Sequence, residues 1–342
     1  MRDPMTPMER VSLLLIDEEP DQLVRVPLVT AHAAAVAGLH PGDCVLDGQL
    51  MAEAQLVALD RYGHDAFTVF SDVGILAEAM GSIYRHDREA VPILETPVAV
   101  DEAAIARLRP PEPDEGRLPV YVEAVRALHR ARGDRVPVTC FVPAPFTTAA
   151  GLRGVEDFLV DTLVDPDLAR RLVEIAEAAA IPILDEIVLA GGLPVLVDPL
   201  ASASVASPKA YREFALPGTR RLIERLHRLD LDITLHVCGE IGPILGDLAD
   251  TGADLLSFDR TPVREVREQV GDRMRLFGNL APSLLLAGTA DEVRREALDA
   301  VRDGAGNPKG FVLSTGCELA VKTPPENVDA LMEAGLTAGS AS

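Results

Sequence analysis

Asp232-Ile233-Thr234-Leu235-His236-Val237-Cys238-Gly239 reads as a strand with two chemically distinct faces. Side chains alternate across a strand, so Ile233, Leu235 and Val237 share one face and Thr234, His236 and Cys238 share the other. The apolar set suits packing beneath outer helices. The polar set must point into a cavity, with imidazole and thiol adjacent on the same side. A parallel barrel supplies that arrangement, because its reactive groups sit where strands end and loops begin.

Seven further runs, rich in apolar and β-branched residues and bounded by turn residues, read as strands. They cover 26–30, 66–72, 136–142, 193–197, 254–259, 275–279 and 310–315, and with 232–238 they make eight. Helices are punctuated between them. Thr6-Pro7-Met8-Glu9 is a capping box opening 8–16. Asp165-Pro166 opens 167–180, and Ser207-Pro208 opens a helix running towards Leu229. Thr289 opens a helix that Gly304 ends, and Thr323-Pro324-Pro325-Glu326 opens the last. Eight strands alternating with helices is the count of a closed barrel. The expected fold is therefore α/β, a single (β/α)8 TIM barrel over 25–342 with an N-terminal helical extension over 1–24. A doubly wound open sheet is the alternative, but no Gly-x-Gly-x-x-Gly turn follows any of these strands, and no Walker-type loop occurs. The proline-rich stretch 99–118 reads as an insertion over one barrel face.

Composition excludes several functions. The 342 residues hold 54 acidic and 32 basic side chains, a formal charge of −22. Nucleic acid and anionic membranes both demand a positive counter-surface, so neither is an expected partner. Apolar residues make up 48% of the chain, which rules out disorder. No apolar run approaches the roughly 20 residues that span a bilayer. Residues 1–9 lack the apolar core of a secretion signal. Four cysteines in so long a chain form no disulfide framework, so the cytoplasm is the expected compartment. Only three of the basic residues are lysines (Lys209, Lys309 and Lys322), leaving few candidates for Schiff-base chemistry.

The expected rim carries His32, Asp72, the Ala144-Pro145-Phe146-Thr147 loop, Asp198, His236 with Cys238, Asp259, Asn279 and Cys317. In a barrel, Cys317 lies across the same mouth as His236 and Cys238. One imidazole and two thiols on one cavity form a zinc site with an open position. Two thiolates neutralise Zn²⁺ and weaken it as a Lewis acid. Such a site makes hydroxide poorly but suits a third sulfur from a substrate, which it would hold as thiolate at neutral pH. Nucleophilicity falls only partly as basicity falls, so that sulfur could still attack an activated methyl group. The expected chemistry is thiol alkylation, with Asp259 as a fourth ligand the incoming thiol displaces.

A bland reading competes at each position. A lone His-x-Cys is common by chance, and buried cysteine is usually a small hydrophobe; the placement of Cys317 at a second rim is what singles this pair out. Cys44 and Cys140 have no such setting, and Cys140 reads as core. His40, His64, His86, His129 and His227 fall in loops or helices and read as solvated or structural. Asp72 could cap a helix over 73–80 or contact substrate. Asp198 and Asn279 could serve turn backbone instead of a ligand.

At these residues the chain resembles the uroporphyrinogen decarboxylase superfamily. The resemblance covers nearly the whole length. It rests on Phe70-Ser71-Asp72, Ala144-Pro145-Phe146-Thr147, Asp198-Pro199-Leu200-Ala201-Ser202, His236-Val237-Cys238-Gly239, Gly278-Asn279 and Thr323-Pro324-Pro325-Glu326-Asn327-Val328. Within it, the chain looks most like the zinc methyltransferases that take a methyl group from a methylated corrinoid protein. Their His-x-Cys and late Cys are matched by His236, Cys238 and Cys317, and a distant relative, cobalamin-independent methionine synthase, has a carboxylate where Asp259 falls. The resemblance implies Zn²⁺, methylcobalamin carried by a partner protein, a small thiol acceptor and a possible homodimer. Catalytic roles would fall to Asp72 and Asp259, and pocket roles to His32, Asp198 and Asn279. The decarboxylase itself matches at Asp72 but departs elsewhere. Its arginine-rich N-terminal loop is replaced by Thr30-Ala31-His32-Ala33-Ala34, its tyrosine by the neighbourhood of Gly151, and its late histidine by Cys317. From the methyltransferases the chain departs at Glu240, where a smaller polar residue is usual. A lyase acting through Asp72, or a non-catalytic corrinoid- or tetrapyrrole-binding barrel, are the competing readings.

Overall fold

Alternation of strand and helix is the organising feature of the computed structural model, which describes residues 4–339. Residues 1–3 and 340–342, the ends of the expected 1–24 and 25–342 segments, lie outside the described residues. The strands are β1 (Phe67–Val69), β2 (Ile83–Arg85), β3 (Ile93–Thr96), β4 (Val138–Pro143), β5 (Leu193–Val197), β6 (Thr234–His236), β7 (Leu255–Ser257), β8 (Arg275–Leu280) and β9 (Phe311–Thr315). Seven of them form a curled parallel sheet in the order β1-β4-β5-β6-β7-β8-β9, each matching an expected run. The short antiparallel pair β2–β3 stands apart. It escaped the strand reading because both strands are largely exposed and carry no buried apolar face.

The expected strand over 26–30 does not form. Arg25 makes an isolated parallel bridge to Leu313 instead. The Val26 N–H donates to the Leu313 carbonyl, the Leu313 N–H to the Val24 carbonyl, and the Asp65 N–H to the Arg25 carbonyl. Pro27 then breaks the ladder, since it has no N–H to donate. The Leu28 N–H turns to the Thr315 hydroxyl, and Thr30 already opens the helix Thr30–Val36.

The helix expected over 167–180 extends further, as Pro166–Leu189, and passes through Pro182. A proline inside a helix costs about 3 kcal/mol, but Ile183, Leu184 and Ile187 continue the buried face beyond it. Their burial, worth roughly 1.5–3 kcal/mol for each fully buried large apolar side chain, offsets that cost. Among the described residues, no helix is long and apolar enough to cross a membrane.

Two apolar clusters place the site. The larger lies between the sheet and the helices. The smaller fills the inside of the sheet with Val24, Val26, Leu28, Phe141, Val195, Val197, Phe277 and Val312. Leu14 and Val11, from the helix Pro7–Leu15 that the Thr6 capping box opens, pack against it. Only a cavity of about 70 Å³ remains there. The floor is thus largely apolar, and the imidazole and thiols sit at the opposite, carboxyl ends of the strands.

Beside this floor lies a buried charged group. Arg10 pairs with Asp65 at 2.9 Å, and Asp65 also accepts from the Arg25 N–H. Next to them His64 is fully buried, and neither ring nitrogen has a hydrogen-bond partner. Burial, helped by the Arg25 charge, lowers its pKa to about 4. The unfolded chain takes up the proton near pH 6.5 and the folded chain does not, so stability falls as pH drops through this window. Burial raises the Asp65 carboxyl, whose contribution to the pH dependence has the opposite sign. Urea unfolding should show His64→Leu abolishing about 2 kcal/mol of the stability that the parent loses between pH 7 and pH 5. Equal losses in both proteins would refute this account of His64.

Candidate metal centre

His236 ends β6 and stands in register with Ser257, the last residue of β7. The two side chains meet, His236 Nδ1 lying 2.9 Å from Ser257 Oγ. With Nδ1 held, Nε2 is the nitrogen left to act as a ligand. Cys238 follows two residues later, and Gly239 then turns the chain at φ +97°. A Cβ at Gly239 would sit 2.7 Å from Ser202 Oγ and 2.8 Å from Ser204 Oγ, so both conformation and space demand glycine here. Cys317 arrives just past β9. It is preceded by Gly316, where a Cβ would lie 2.5 Å from Asp259 Cα. Ligand atoms of His236, Cys238 and Cys317 all fall within 4.8 Å of one another, the one such group among the described residues.

The electrostatics of the two sulfurs is asymmetric. The hydrogen bond from Cys317 lowers the Cys238 thiol below its ordinary pKa, against the opposing effect of burial. That same bond, then burial, pushes the Cys317 thiol up. Two soft donors thus lie beside an imidazole held by Ser257. This donor set fits a divalent ion that prefers nitrogen and sulfur, with a coordination position left open.

The other expected site residues are distributed round this centre. Asp259 Oδ1 accepts from the Gly239 N–H at 2.6 Å and the Arg260 N–H at 2.7 Å, and Asp259 is not part of the converging group. Asn279 Nδ2 donates to the carbonyls of Asp259 and Thr261, so it braces the loop that carries Asp259. Asp198 donates its N–H to the His236 carbonyl. Its buried carboxyl accepts from the Thr147 N–H and hydroxyl, and burial raises its pKa to about 7. His32 is buried with Nε2 at 2.8 Å from the Tyr62 hydroxyl and Nδ1 at 3.3 Å from the Val321 carbonyl, so both ring nitrogens are engaged within the protein. Burial lowers its pKa.

Asp72 is buried, and both of its carboxylate oxygens meet protein donors. Oδ1 accepts from the Gly74 N–H at 2.8 Å, closing a turn ahead of the helix Ile75–Ala79. Oδ2 accepts from Ser71 Oγ and pairs with Arg117 at 2.9 Å. Arg117 also pairs with Glu78. Glu240 is exposed, with Oε1 accepting from the Gly242 N–H and the Thr261 hydroxyl. Cys44 and Cys140 are buried free thiols, and Cys140 lies within β4, as expected.

Three participants escaped the sequence reading. Ser257 was discoverable from register, since it ends the strand beside His236. Glu318 follows Cys317 directly; its Oε2 accepts from Thr30 Oγ at 3.1 Å, while burial and then the Asp72 charge raise its carboxyl. Arg117 reaches Asp72 from the far end of the proline-rich stretch, and nothing local in the sequence marks it.

The sequence profile of the family described as uroporphyrinogen decarboxylase (URO-D) matches residues 6–336. The chain is 30% identical over 295 residues to a methylcobamide:CoM methyltransferase of Methanosarcina barkeri, covering 84% of each. It is 27% identical over 337 residues to a methylated-thiol–coenzyme M methyltransferase of Methanosarcina mazei, covering 96% of this chain and 89% of the relative. It is also 33% identical over 300 residues to a uroporphyrinogen decarboxylase of Thioalkalivibrio sulfidiphilus, covering 83% of each. A solved structure of a methyltransferase from Methanosarcina mazei superposes with a TM-score of 0.88 at 27% identity, covering 97% of this chain and 98% of that one.

Outer-shell partners that orient a metal-binding histidine are worth roughly 10–100-fold in affinity. Chelator competition should therefore show Ser257→Ala weakening zinc binding by about tenfold or more, with the fold intact by circular dichroism. Cys238→Ser should lose far more. An unchanged affinity in Ser257→Ala would mean that the serine does not orient the ring.

Proposed function

This chain belongs to the uroporphyrinogen decarboxylase family, and on that premise we propose that it is a zinc-dependent methyltransferase. It would move a methyl group from a methylated corrinoid, carried by a separate protein, to a small thiol acceptor. The observation that carries this reading is the convergence of His236, Cys238 and Cys317 within 4.8 Å. Zinc bound there would hold the acceptor sulfur as thiolate while two cysteine ligands keep that sulfur electron-rich enough to attack an activated methyl group. The names of similar proteins, a methylcobamide:CoM methyltransferase and a methylated-thiol–coenzyme M methyltransferase, support the donor and acceptor classes.

The chain's own groups then take distinct roles. His236, Cys238 and Cys317 hold the ion, and Ser257 fixes the ring. Asp259 offers as fourth donor the carboxylate oxygen that the Gly239 and Arg260 amides leave free. Asn279 keeps that loop in place. Asp198, beside the His236 backbone, lines the pocket. Asp72 acts as a positioning residue through Arg117 and Ser71, which hold Oδ2 while the Gly74 amide holds Oδ1. His32 shapes the wall through the Tyr62 and Val321 contacts. The reading assigns the protein to the cytoplasm and admits a homodimer.

The decarboxylase alternative draws on Asp72 and on the decarboxylase relatives. A tetrapyrrole carrying eight carboxylates needs charge-assisted partners, and Arg117 is already committed to Asp72 and Glu78. The methyltransferase reading is the better supported.

Incubation of the zinc-loaded protein with methylcobalamin and a thiol should consume the methyl–cobalt absorbance and yield the methyl thioether by mass spectrometry. Cys317→Ser should lower that rate well beyond the roughly 10–100-fold cost of losing an outer-shell partner. Uroporphyrinogen should release no CO₂. Full activity in Cys317→Ser, or decarboxylation by the parent, would overturn the assignment.

A further inference from the structure

The two sulfurs of the candidate centre come from turns that rest on one residue between them. Asp259 Oδ1 accepts from the Gly239 N–H at 2.6 Å, directly after Cys238. Gly316, directly before Cys317, packs so closely that a Cβ there would lie 2.5 Å from Asp259 Cα. Its N–H also donates to the Leu280 carbonyl at 2.7 Å. The backbone therefore brings the two thiols within 4.8 Å of each other by itself, with no ion needed to gather them. A disulfide requires sulfurs about 2.05 Å apart. With both turns braced, closing that gap falls to rotation about the two Cα–Cβ bonds. The remaining thiols stand apart from this pair. Cys44 is 6% exposed and Cys140 is wholly buried. Burial pushes the Cys44 thiol up to about 11 and raises Cys140 as well, so both are held in the unreactive form. Cys238 and Cys317 are only half-buried, which leaves them open to a small oxidant.

Resting on the reading of this group as a zinc site, we propose that Cys238 and Cys317 form a redox switch: in the metal-free chain a peroxide joins them as a disulfide, which withdraws two of the three ligands until a dithiol reduces it. One sulfur attacks the O–O bond of the peroxide and becomes a sulfenic acid as the first water leaves. The other sulfur attacks that sulfenic sulfur, forming the S–S bond and releasing a second water. The two thiols give up two electrons to the peroxide, and their two protons depart in the waters. Zinc and the disulfide exclude each other, because both use the same two sulfurs. His236 stays in place through either state, since Ser257 holds its ring at 2.9 Å. Reduction then restores the full donor set without any rearrangement of the sheet.

The test reads covalent state and metal uptake, apart from turnover. The full chain, stripped of metal with a chelator, is treated with hydrogen peroxide, quenched and digested without reductant. Peptide mass spectrometry should find Cys238 joined to Cys317, with the intact mass lower by two hydrogens. Thiol titration of the denatured protein should fall from four groups to two. Dithiothreitol should return all four thiols and, with them, zinc uptake. Saturating zinc added before the peroxide should slow the loss of thiols by about tenfold or more, by mass action. Oxidation that stops at sulfinic acids, or a bridge that involves Cys44 or Cys140, overturns the switch and leaves the zinc site standing. A Cys238–Cys317 bridge that forms as fast in the presence of zinc overturns the mutual exclusion and the zinc reading with it. Methyl transfer enters none of these readouts, so a protein that switches as described but transfers no methyl group supports the switch and counts against the methyltransferase assignment alone.

Discussion

Parallel register is the constraint on which the site depends. Because β6 and β7 pair with His236 opposite Ser257, the imidazole and its hydroxyl partner arrive at the same height without any loop having to bring them together. The same sheet carries β9 and hence Cys317 round to the mouth where Cys238 emerges. Three donors from two distant segments therefore converge as a consequence of strand geometry. Such placement is more rigid than one built on loops alone, and rigidity is what a small, soft donor set needs to hold one coordination geometry.

The apolar floor beneath reinforces this. Phe141, Phe277 and the valines of the inner cluster fill the interior below the site, and Leu14 packs under them. Phe141 also lies near the His236 ring, with centroids 6.5 Å apart. An apolar surround on one side of a charged donor set raises the strength of every electrostatic contact there. It also makes unpaired charge costly, which is why nearly every carboxylate at the mouth has a donor assigned to it: backbone amides for Asp259, Thr147 for Asp198, Arg117 for Asp72.

Much of this was legible in the amino-acid order because strands report themselves through alternation. The 232–238 stretch announced both its faces, and seven of the eight strand runs formed. The eighth failed at Pro27, whose missing N–H is a local feature that a count of apolar residues passes over. The helix that runs through Pro182 failed in the opposite sense, since the local signal to stop was overridden by a buried face continuing to Ile187. At the site, donor identity was readable, but occupancy was not. Nothing in Phe70-Ser71-Asp72 discloses that Arg117 will claim the aspartate, and nothing around His32 discloses that Tyr62 and Val321 will hold both ring nitrogens. Which hydrogen bonds a side chain has already spent is a property of tertiary contact.

That distinction bears on how one fold hosts two chemistries. Decarboxylases and methyltransferases both stand among the relatives at similar identity, so overall likeness does not separate them. The separation lies in what is free at the mouth. Hydrogen bonds and an ion pair hold an aspartate in its ionised form and fix where its oxygens point. Here Asp72 has the Gly74 amide on one oxygen and Arg117 with Ser71 on the other. What converges at the mouth instead is two thiols and the imidazole whose Nδ1 meets Ser257. On the proposed reading, the groups that distinguish this chain lie after β6 and β9, where His236, Cys238 and Cys317 converge, while the carboxylate after β1 is paired with Arg117.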